Sequence, residues 1–323
     1  MSHILTVTPS PALDASTTVP TLAPFSKLRC GPMLRHPGGG GVNVARVIDR
    51  LGGQVRAIYP AGGSIGQLLR QLLDAEGVES EVIQVGNETR EDFTVFEEST
   101  QKQYRFVLPG EKLSESEWQA LIDAVANAEP APKFVVASGS LPPGVPDDFY
   151  ARVVRAGRAR GAKVIVDTSH AALSAALDAG GIFLIKPSMS EYRVLTGVAA
   201  DADDAALIRA GRQLIERGAV ELVALSMGPK GALLIARDHA WSAEGLTVAP
   251  ASVVGAGDSL VGAMVSSLVE GASLQDALRF GVAAGTAALV NPGTSLCRRE
   301  DIERFLPQIA IRDLSELACT ASQ

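Results

Sequence analysis

Gly255-Ala256-Gly257-Asp258 sets three residues with little or no side chain ahead of one carboxylate, and the apolar Leu260, Val261, Ala263 and Met264 follow. Small residues let backbone N–H groups approach an anion closely, and a helix starting there adds the positive end of its dipole. A carboxylate in that first turn stays ionised and can take a proton from a hydroxyl held opposite a phosphate. An anion hole beside a base is what a small-molecule kinase needs. Taken alone, the segment also reads as a glycine turn with an Asp near a helix start.

A second motif lies upstream, at Pro37-Gly38-Gly39-Gly40-Gly41-Val42-Asn43-Val44-Ala45-Arg46, where four glycines open onto an amphipathic pattern reaching Leu51. Gly39 would expose backbone to a ligand, and Asn43 offers a donor and an acceptor to a sugar hydroxyl or a phosphate oxygen. A dinucleotide-binding fingerprint does not fit. That motif belongs in the first strand-to-helix turn, whereas the first apolar run here, 4–8, lies well upstream. No Gly-x-x-x-x-Gly-Lys-Ser/Thr pattern occurs either.

The elements that must position these motifs alternate in type. Apolar β-branched runs at 55–59, 134–138, 164–167, 183–186 and 222–226 are interleaved with helical patterns such as 65–76 and 147–160. The alternation predicts a mostly parallel sheet covered by helices, with ligands at the carboxyl ends of the strands. Ser114 with Glu117 reads as a capping box, and Pro146-Asp147 as another helix start. Two regions, 15–32 and 90–107, instead carry short alternating runs. They read as antiparallel strands of a small separate sheet that packs on a ligand or a partner subunit.

Composition narrows the partners. The chain has 323 residues, 46% of them hydrophobic, which suits one large α/β domain with a small attachment. A net charge of −7 without a long basic run argues against nucleic acid or an anionic membrane as partner. Cys30, Cys297 and Cys319 show neither disulfide nor zinc spacing, and His3, His36, His170 and His239 show no metal-ligand spacing. No signal peptide opens the chain and no unbroken apolar stretch reaches the roughly 18 residues of a membrane span, so a soluble cytoplasmic protein is expected.

The two motifs, in this order, resemble the signatures of the ribokinase-like (PfkB) carbohydrate kinases, with further likeness at Pro11-Ala12-Leu13-Asp14, Lys27-Leu28-Arg29-Cys30, Tyr104-Arg105-Phe106-Val107, Ser138-Gly139-Ser140 and Gly281-Val282-Ala283-Ala284-Gly285. The resemblance implies a three-layer α/β/α kinase domain over 1–310 with a small β-sheet lid from 15–32 and 90–107. It also implies pairing of lids in a homodimer. Residues 311–323 extend past the family's usual end and are expected to form a flexible tail.

The resemblance also assigns roles. Asp258 becomes the base and the amides of Gly255, Ala256 and Gly257 the anion hole. Asp14, which alone reads as a turn residue, becomes the carboxylate that holds the sugar. Lys27, Arg90 and Asn43 would contact a sugar phosphate, Arg29 would reach over from a neighbouring subunit, and Gly39 and Ser140 would complete the sugar site. The alternative for these charged lid residues is a solvated face, and Arg105 reads as structural or phosphate-binding. Lys186 would meet the nucleotide phosphates, and Ser226, Gly228 and Gly231 would form the nucleotide loop, although the same loop reads as a plain hairpin turn. Asn291 joins the ATP site, and the stretch from Asn291 to Ser295 lies where many relatives bind an activating monovalent cation such as K⁺. Glu191 would help to hold Mg²⁺ through water, or else form a salt bridge.

Three positions depart from the family. Ser188 stands where Asn is usual, which predicts weaker Mg²⁺ handling. Val253 replaces a Thr, and Ala23 replaces an aromatic residue, so inhibition by a second ATP is not carried over. The implied reaction is ATP-dependent phosphorylation of fructose 6-phosphate at its 1-hydroxyl. Kinases of the same fold acting on tagatose 6-phosphate or fructose 1-phosphate are the alternatives, and a sugar-phosphate-binding regulator is a third.

Overall fold

A computed structural model describes residues 4–318. From the amino end the elements are β1 (Ile4–Val7), β2 (Ala12–Val19), β3 (Leu34–Gly38), α1 (Gly40–Arg50), β4 (Val55–Ala61), α2 (Gly63–Glu76), β5 (Glu79–Gln84), β6 (Arg90–Glu97) and β7 (Lys102–Phe106). The middle of the chain adds α3 (Glu115–Ala126), β8 (Phe134–Ser138), α4 (Phe149–Ala159), β9 (Lys163–Asp167), α5 (His170–Ala179), β10 (Ile182–Ile185), α6 (Met189–Thr196), α7 (Asp204–Glu216) and β11 (Val220–Ser226). A hairpin to β12 (Gly231–Ile235), then β13 (Ala240–Glu244), α8 (Ala256–Val269), α9 (Leu274–Leu289), α10 (Arg299–Phe305) and β14 (Ile311–Asp313) complete it.

Ten strands form the main sheet in the order β14-β13-β12-β11-β10-β9-β8-β1-β4-β5. Its seven strands from β11 to β5 run parallel, and β12 to β14 are added antiparallel at one edge. One core fills the face under α1, α2, α8 and α9, through Val47, Leu73, Met264 and Ala283. The other lies under α3, α4, α5 and α7, through Leu121, Val154, Leu173 and Ile208. This is the expected three-layer α/β/α arrangement, in which parallel strands are apolar on both faces because helices cover both. The helix starts have local causes. Ser114 and Glu117 cap α3 reciprocally, as expected, whereas α4 begins at Phe149, slightly later than Pro146-Asp147 suggested.

Helix α8 positions the anion-hole motif. Ser259 to Ser266 are all buried, so the helix is surrounded rather than amphipathic. Gly262 makes room for Val47 of α1, since a Cβ there would come within 2.8 Å of Cγ1. Gly281 of α9 does the same for Met264, at 2.6 Å. These two close approaches clamp α8 between its neighbours.

The smaller sheet has the order β3-β2-β6-β7. It differs from expectation in two ways. Its strands are drawn from 12–38 and 90–106, and 20–33 contains no strand. The pair β2–β6 is parallel, not antiparallel. The physical reason is shared direction: each follows a strand of the parallel sheet, β1 and β5, and leaves its carboxyl end the same way. The flexible-tail expectation also needs correction. Residues 311–313 pair with β13 and Leu314 is buried, while 319–323 lie outside the described residues. Among the described residues no helix is long and apolar enough to cross a membrane.

Candidate active site

The site is built where α8 begins. Gly255 is its N-cap, at φ 78°, and a Cβ there would lie 2.3 Å from Leu296 Cδ2. Only glycine meets both conditions. The first bond of the helix runs from the Ser259 N–H to the Gly255 carbonyl at 2.8 Å. Among the described residues, the N–H groups of Gly255, Ala256, Gly257 and Asp258 donate to no protein group. They form an open cluster of donors at the positive end of a helix.

Asp258 is half-buried, and its Oδ2 accepts a hydrogen bond from Asn43 Nδ2 at 2.8 Å. Burial pushes its pKa up to about 6. The Asp167 carboxylate pushes the same way, the Asn43 bond and Lys186 oppose, and Asp14 adds a smaller upward push. Asn43 was expected to meet substrate; here its amide binds the carboxylate that would act as base.

Lys186 follows β10, with Nζ 3.3 Å from Asp167 Oδ1. Its Nζ lies over the first turn of α8, since a Cβ on Gly257 would meet it at 3.3 Å. Burial would lower the Lys186 pKa, but Asp167, Asp258 and Glu191 outweigh burial and raise it. Asp167 itself is raised by burial against the pull of Lys186. Sequence reasoning missed Asp167. The available signal was an acid at the carboxyl end of a parallel strand, where α/β folds place ligands.

Asp14 sits within β2 of the lid sheet rather than in a turn, opposite His36 on one side and Asp92 on the other. Thr294 Oγ1 donates to Asp14 Oδ2 at 2.7 Å. Burial raises the Asp14 pKa, and the Thr294 bond, Arg105 and Arg46 counteract it. Gly38 leaves the carboxylate its space, because a Cβ there would be 2.5 Å from it. Gly39 caps α1 at φ 105° and packs tightly, with a Cβ position 2.9 Å from Pro11 Cα. Ser140 is exposed in the loop after β8. That loop is fixed through Gly139, whose N–H donates to the Asp167 carbonyl and whose own carbonyl accepts from Tyr150 and Thr168 hydroxyls.

The lid cations divide into two groups. Lys27 and Arg29 are exposed and, among the described residues, have no acidic partner. Arg90 is held: Nη1 contacts both Asp92 oxygens at 3.1 and 3.2 Å and the Leu108 carbonyl at 3.0 Å, and Nη2 reaches the Ser10 carbonyl. Arg105 Nη2 is 3.6 Å from the same carboxylate, so Arg105 has an ion-pair partner within the lid.

On the nucleotide side, Ser226 N and Oγ both donate to the Pro187 carbonyl, setting the β11–β12 loop beside Ser188. Gly228 and Gly231 have φ of 59° and 95° in that loop, which is a hairpin with a single 3₁₀ turn. Ser188 is the N-cap of α6 in a capping box: its N–H and Oγ each lie 2.7 Å from Glu191 Oε2. One Glu191 oxygen is therefore engaged in holding the helix start. Asn291, expected at the ATP site, is buried at the end of α9. Its amide nitrogen donates to the Ala287 carbonyl at 2.9 Å and to Asp301 Oδ2 at 3.2 Å, tying α9 to α10.

Among the described residues no three His, Cys, Asp or Glu side chains form a metal cage. Asp167 and Glu191 are two carboxylates near one lysine, with Glu191 among the charges acting on both Asp167 and Lys186. That donor set fits Mg²⁺ carried by phosphates, an ion that keeps most of its ligands as water and phosphate oxygens.

Comparison with known proteins agrees with this geometry. Residues 13–301 match the pfkB family carbohydrate kinases. The chain is 45% identical over 303 residues to ATP-dependent 6-phosphofructokinase isozyme 2 of Mycobacterium tuberculosis H37Rv, covering 94% of this chain and 88% of the relative. It is 33% identical over 315 residues to the 1-phosphofructokinase of Xanthomonas campestris, covering 96% and 95%. The crystal structure of Escherichia coli phosphofructokinase-2 in complex with substrates and products superposes with a TM-score of 0.90 at 40% identity, over 95% of this chain and 99% of that one. The chain belongs to the pfkB family of carbohydrate kinases.

Proposed function

We propose that the protein transfers the γ-phosphate of ATP to the 1-hydroxyl of fructose 6-phosphate, giving fructose 1,6-bisphosphate and ADP. The observation that carries the reading is Asp258, a carboxylate with a pKa of about 6 placed beside unpaired helix N–H donors. Asn43 holds Oδ2, which leaves Oδ1 to receive the proton of the attacking hydroxyl. As the hydroxyl oxygen bonds to the γ-phosphorus, the bond to ADP breaks, and the proton ends on Asp258. The N–H groups from Gly255 to Asp258 stabilise charge on the phosphoryl oxygens. Lys186 would neutralise nucleotide phosphate, and Asp14 would orient sugar hydroxyls. Mg²⁺ would neutralise the β and γ phosphates, with Asp167 and Glu191 holding its water shell.

Lys27 and Arg29 have free head groups for the sugar's phosphate, and Ser140, Gly39 and the loop of Ser226, Gly228 and Gly231 line the remaining sides in this reading. The lid exposes Phe106, Val107 and Leu108 by more than half, an apolar edge suited to pairing with a second lid in a homodimer. The E. coli relative has been crystallised as a tetrameric inhibited form and with potassium, so higher assembly and K⁺ activation belong to the same reading. A cytoplasmic location belongs to the same reading.

A 1-phosphofructokinase is the competing reading, supported by relatives of that name at 28–33% identity. A coupled assay of ADP release with Mg-ATP against fructose 6-phosphate, tagatose 6-phosphate, fructose 1-phosphate and fructose decides between them. The highest kcat/KM is expected for fructose 6-phosphate. A preference for another sugar keeps the mechanism and replaces the substrate, and no turnover with any of them rejects the kinase reading for a binding role.

A further inference from the structure

Arg46 is fully buried, and every group it bonds belongs to a segment that touches the site or anchors it. Nε and Nη2 grip Glu76 of α2 as a two-pronged pair at 2.9 and 2.7 Å. That grip points Nη1 at three oxygens: the Pro37 carbonyl at 2.8 Å, the Thr294 carbonyl at 3.1 Å and Asn43 Oδ1 at 3.4 Å. Asn43 then binds Asp258, and Thr294 binds Asp14 through its hydroxyl. We infer that Arg46 is a positioning residue that fixes two carboxylates at once, Asp258 through Asn43 and Asp14 through Thr294.

The chemistry of the two links differs. An amide can face a carboxylate by its donor or, unfavourably, by its oxygen. With Oδ1 drawn to the guanidinium, Asn43 must present Nδ2 to Asp258. At the other end, Arg46 holds the backbone of Thr294, and so the place from which its hydroxyl reaches Asp14. The bond to Pro37 fixes the chain immediately before Gly38 and Gly39, which face Asp14 and cap α1. A planar fork of five donors can serve these acceptors together, whereas a single ammonium cannot. Burial of such a pair is weak evidence for a role in stability, since apolar replacements of buried ion pairs are often neutral. Orientation is the contribution this geometry makes.

The inference rests on the proposed roles of Asp258 and Asp14, so wild-type turnover of fructose 6-phosphate is measured first; its absence rejects those roles and not the geometry of Arg46. Arg46→Lys keeps the charge and removes the fork. Its kcat/KM is expected to fall about 10²-fold, the scale of a 1 Å misplacement, with a raised sugar-phosphate KM and an ATP KM within about two-fold of wild type. The acid limb of kcat/KM should move to higher pH, because Asp258 loses an oriented donor while Asp14, Asp167 and Lys186 still face it. Glu76→Gln, at a side chain one-quarter exposed, loosens the same fork more gently and carries the test if Arg46→Lys does not fold. Lower activity with both the sugar KM and the acid limb unmoved overturns the inference and leaves Arg46 a scaffold residue. Movement of only one of the two also overturns it, because Arg46 would then serve a single carboxylate.

Discussion

At the mouth of α8 the groups that would meet a transferring phosphoryl group are unpaired, whereas in the lid two of the expected cations are already bonded to protein. Among the described residues, four successive N–H groups from Gly255 to Asp258 face no protein acceptor. Arg90 and Arg105 converge on Asp92, a side chain only 2% exposed, while Lys27 and Arg29 have no acidic partner among the described residues. The difference separates two ways of using charge. Donors fixed in advance stabilise a transition state without reorganising, which suits the reacting end. Cations paired within a small sheet stiffen it, and in the proposed reading the task of meeting substrate passes to the flanking segment, as for an element that closes on its ligand.

The sharpest way to break this comparison is to remove the base. Asp258→Asn should lower kcat by at least about 10² with little change in either KM. It should also raise Tm at neutral pH. The folded pKa lies above the unfolded value, so ionised Asp258 costs folding free energy above a pH of about 6, and Asn removes that cost. Turnover near the wild-type rate would show that the α8 end is not where the proton goes.

A smaller effect comes from pH alone. Asp258 can accept a proton only when ionised, so kcat/KM should fall about ten-fold for each unit below its pKa of about 6 and level off above it. Without its partners a carboxylate would put this limb near pH 4, so a limb there would mean that Asp258 does not feel its burial or the Asp167 charge.

How much of this was legible in the chain depends on distance along it. The two glycine motifs announced themselves, since their small residues are a local requirement of helix starts at φ 105° and 78°. That Asn43 and Asp258 bond to each other was not legible, because 215 residues separate them and only the packing of α1 against α8 joins them. The resemblance assigned Arg90 to the sugar phosphate, and its pairing within the sheet was not legible, because alternation marks a strand but does not say which charges share a face. In the folded sheet its neighbour two residues on, Asp92, is the buried acceptor. The bonds of Asn291 to Ala287 and Asp301 were hidden for a related reason, since a polar residue at a helix end is as suited to capping contacts as to ligands.

Lys27 and Arg90 therefore separate the two uses of charge within the lid. Arg90→Ala strips Asp92 of its nearest cation and should destabilise the fold by up to about 3 kcal/mol, lowering Tm and disturbing the lid as a whole. Lys27→Ala should leave Tm unchanged and raise the sugar-phosphate KM by about ten-fold or less, the scale of one charge-assisted contact, with the ATP KM unaffected. If instead Arg90→Ala shifted only the sugar KM at constant Tm, the pairing with Asp92 would be a resting state that substrate displaces.

The least effect is expected at Ser188, where the comparison extends to the nucleotide side. Its capping box engages Glu191 Oε2, so a carboxylate suited to the water shell of Mg²⁺ is partly committed to starting α6. Asn is as good an N-cap as Ser but lacks the hydroxyl that donates to Glu191. Ser188→Asn should therefore keep Tm nearly constant while lowering the half-saturating Mg²⁺ concentration by up to about ten-fold, the lower range for a partner of a metal-facing carboxylate. Titration of Mg²⁺ at fixed ATP measures it. An unchanged midpoint would mean that Glu191 serves the helix alone, and that the nucleotide side, like the lid, keeps its charges for the fold.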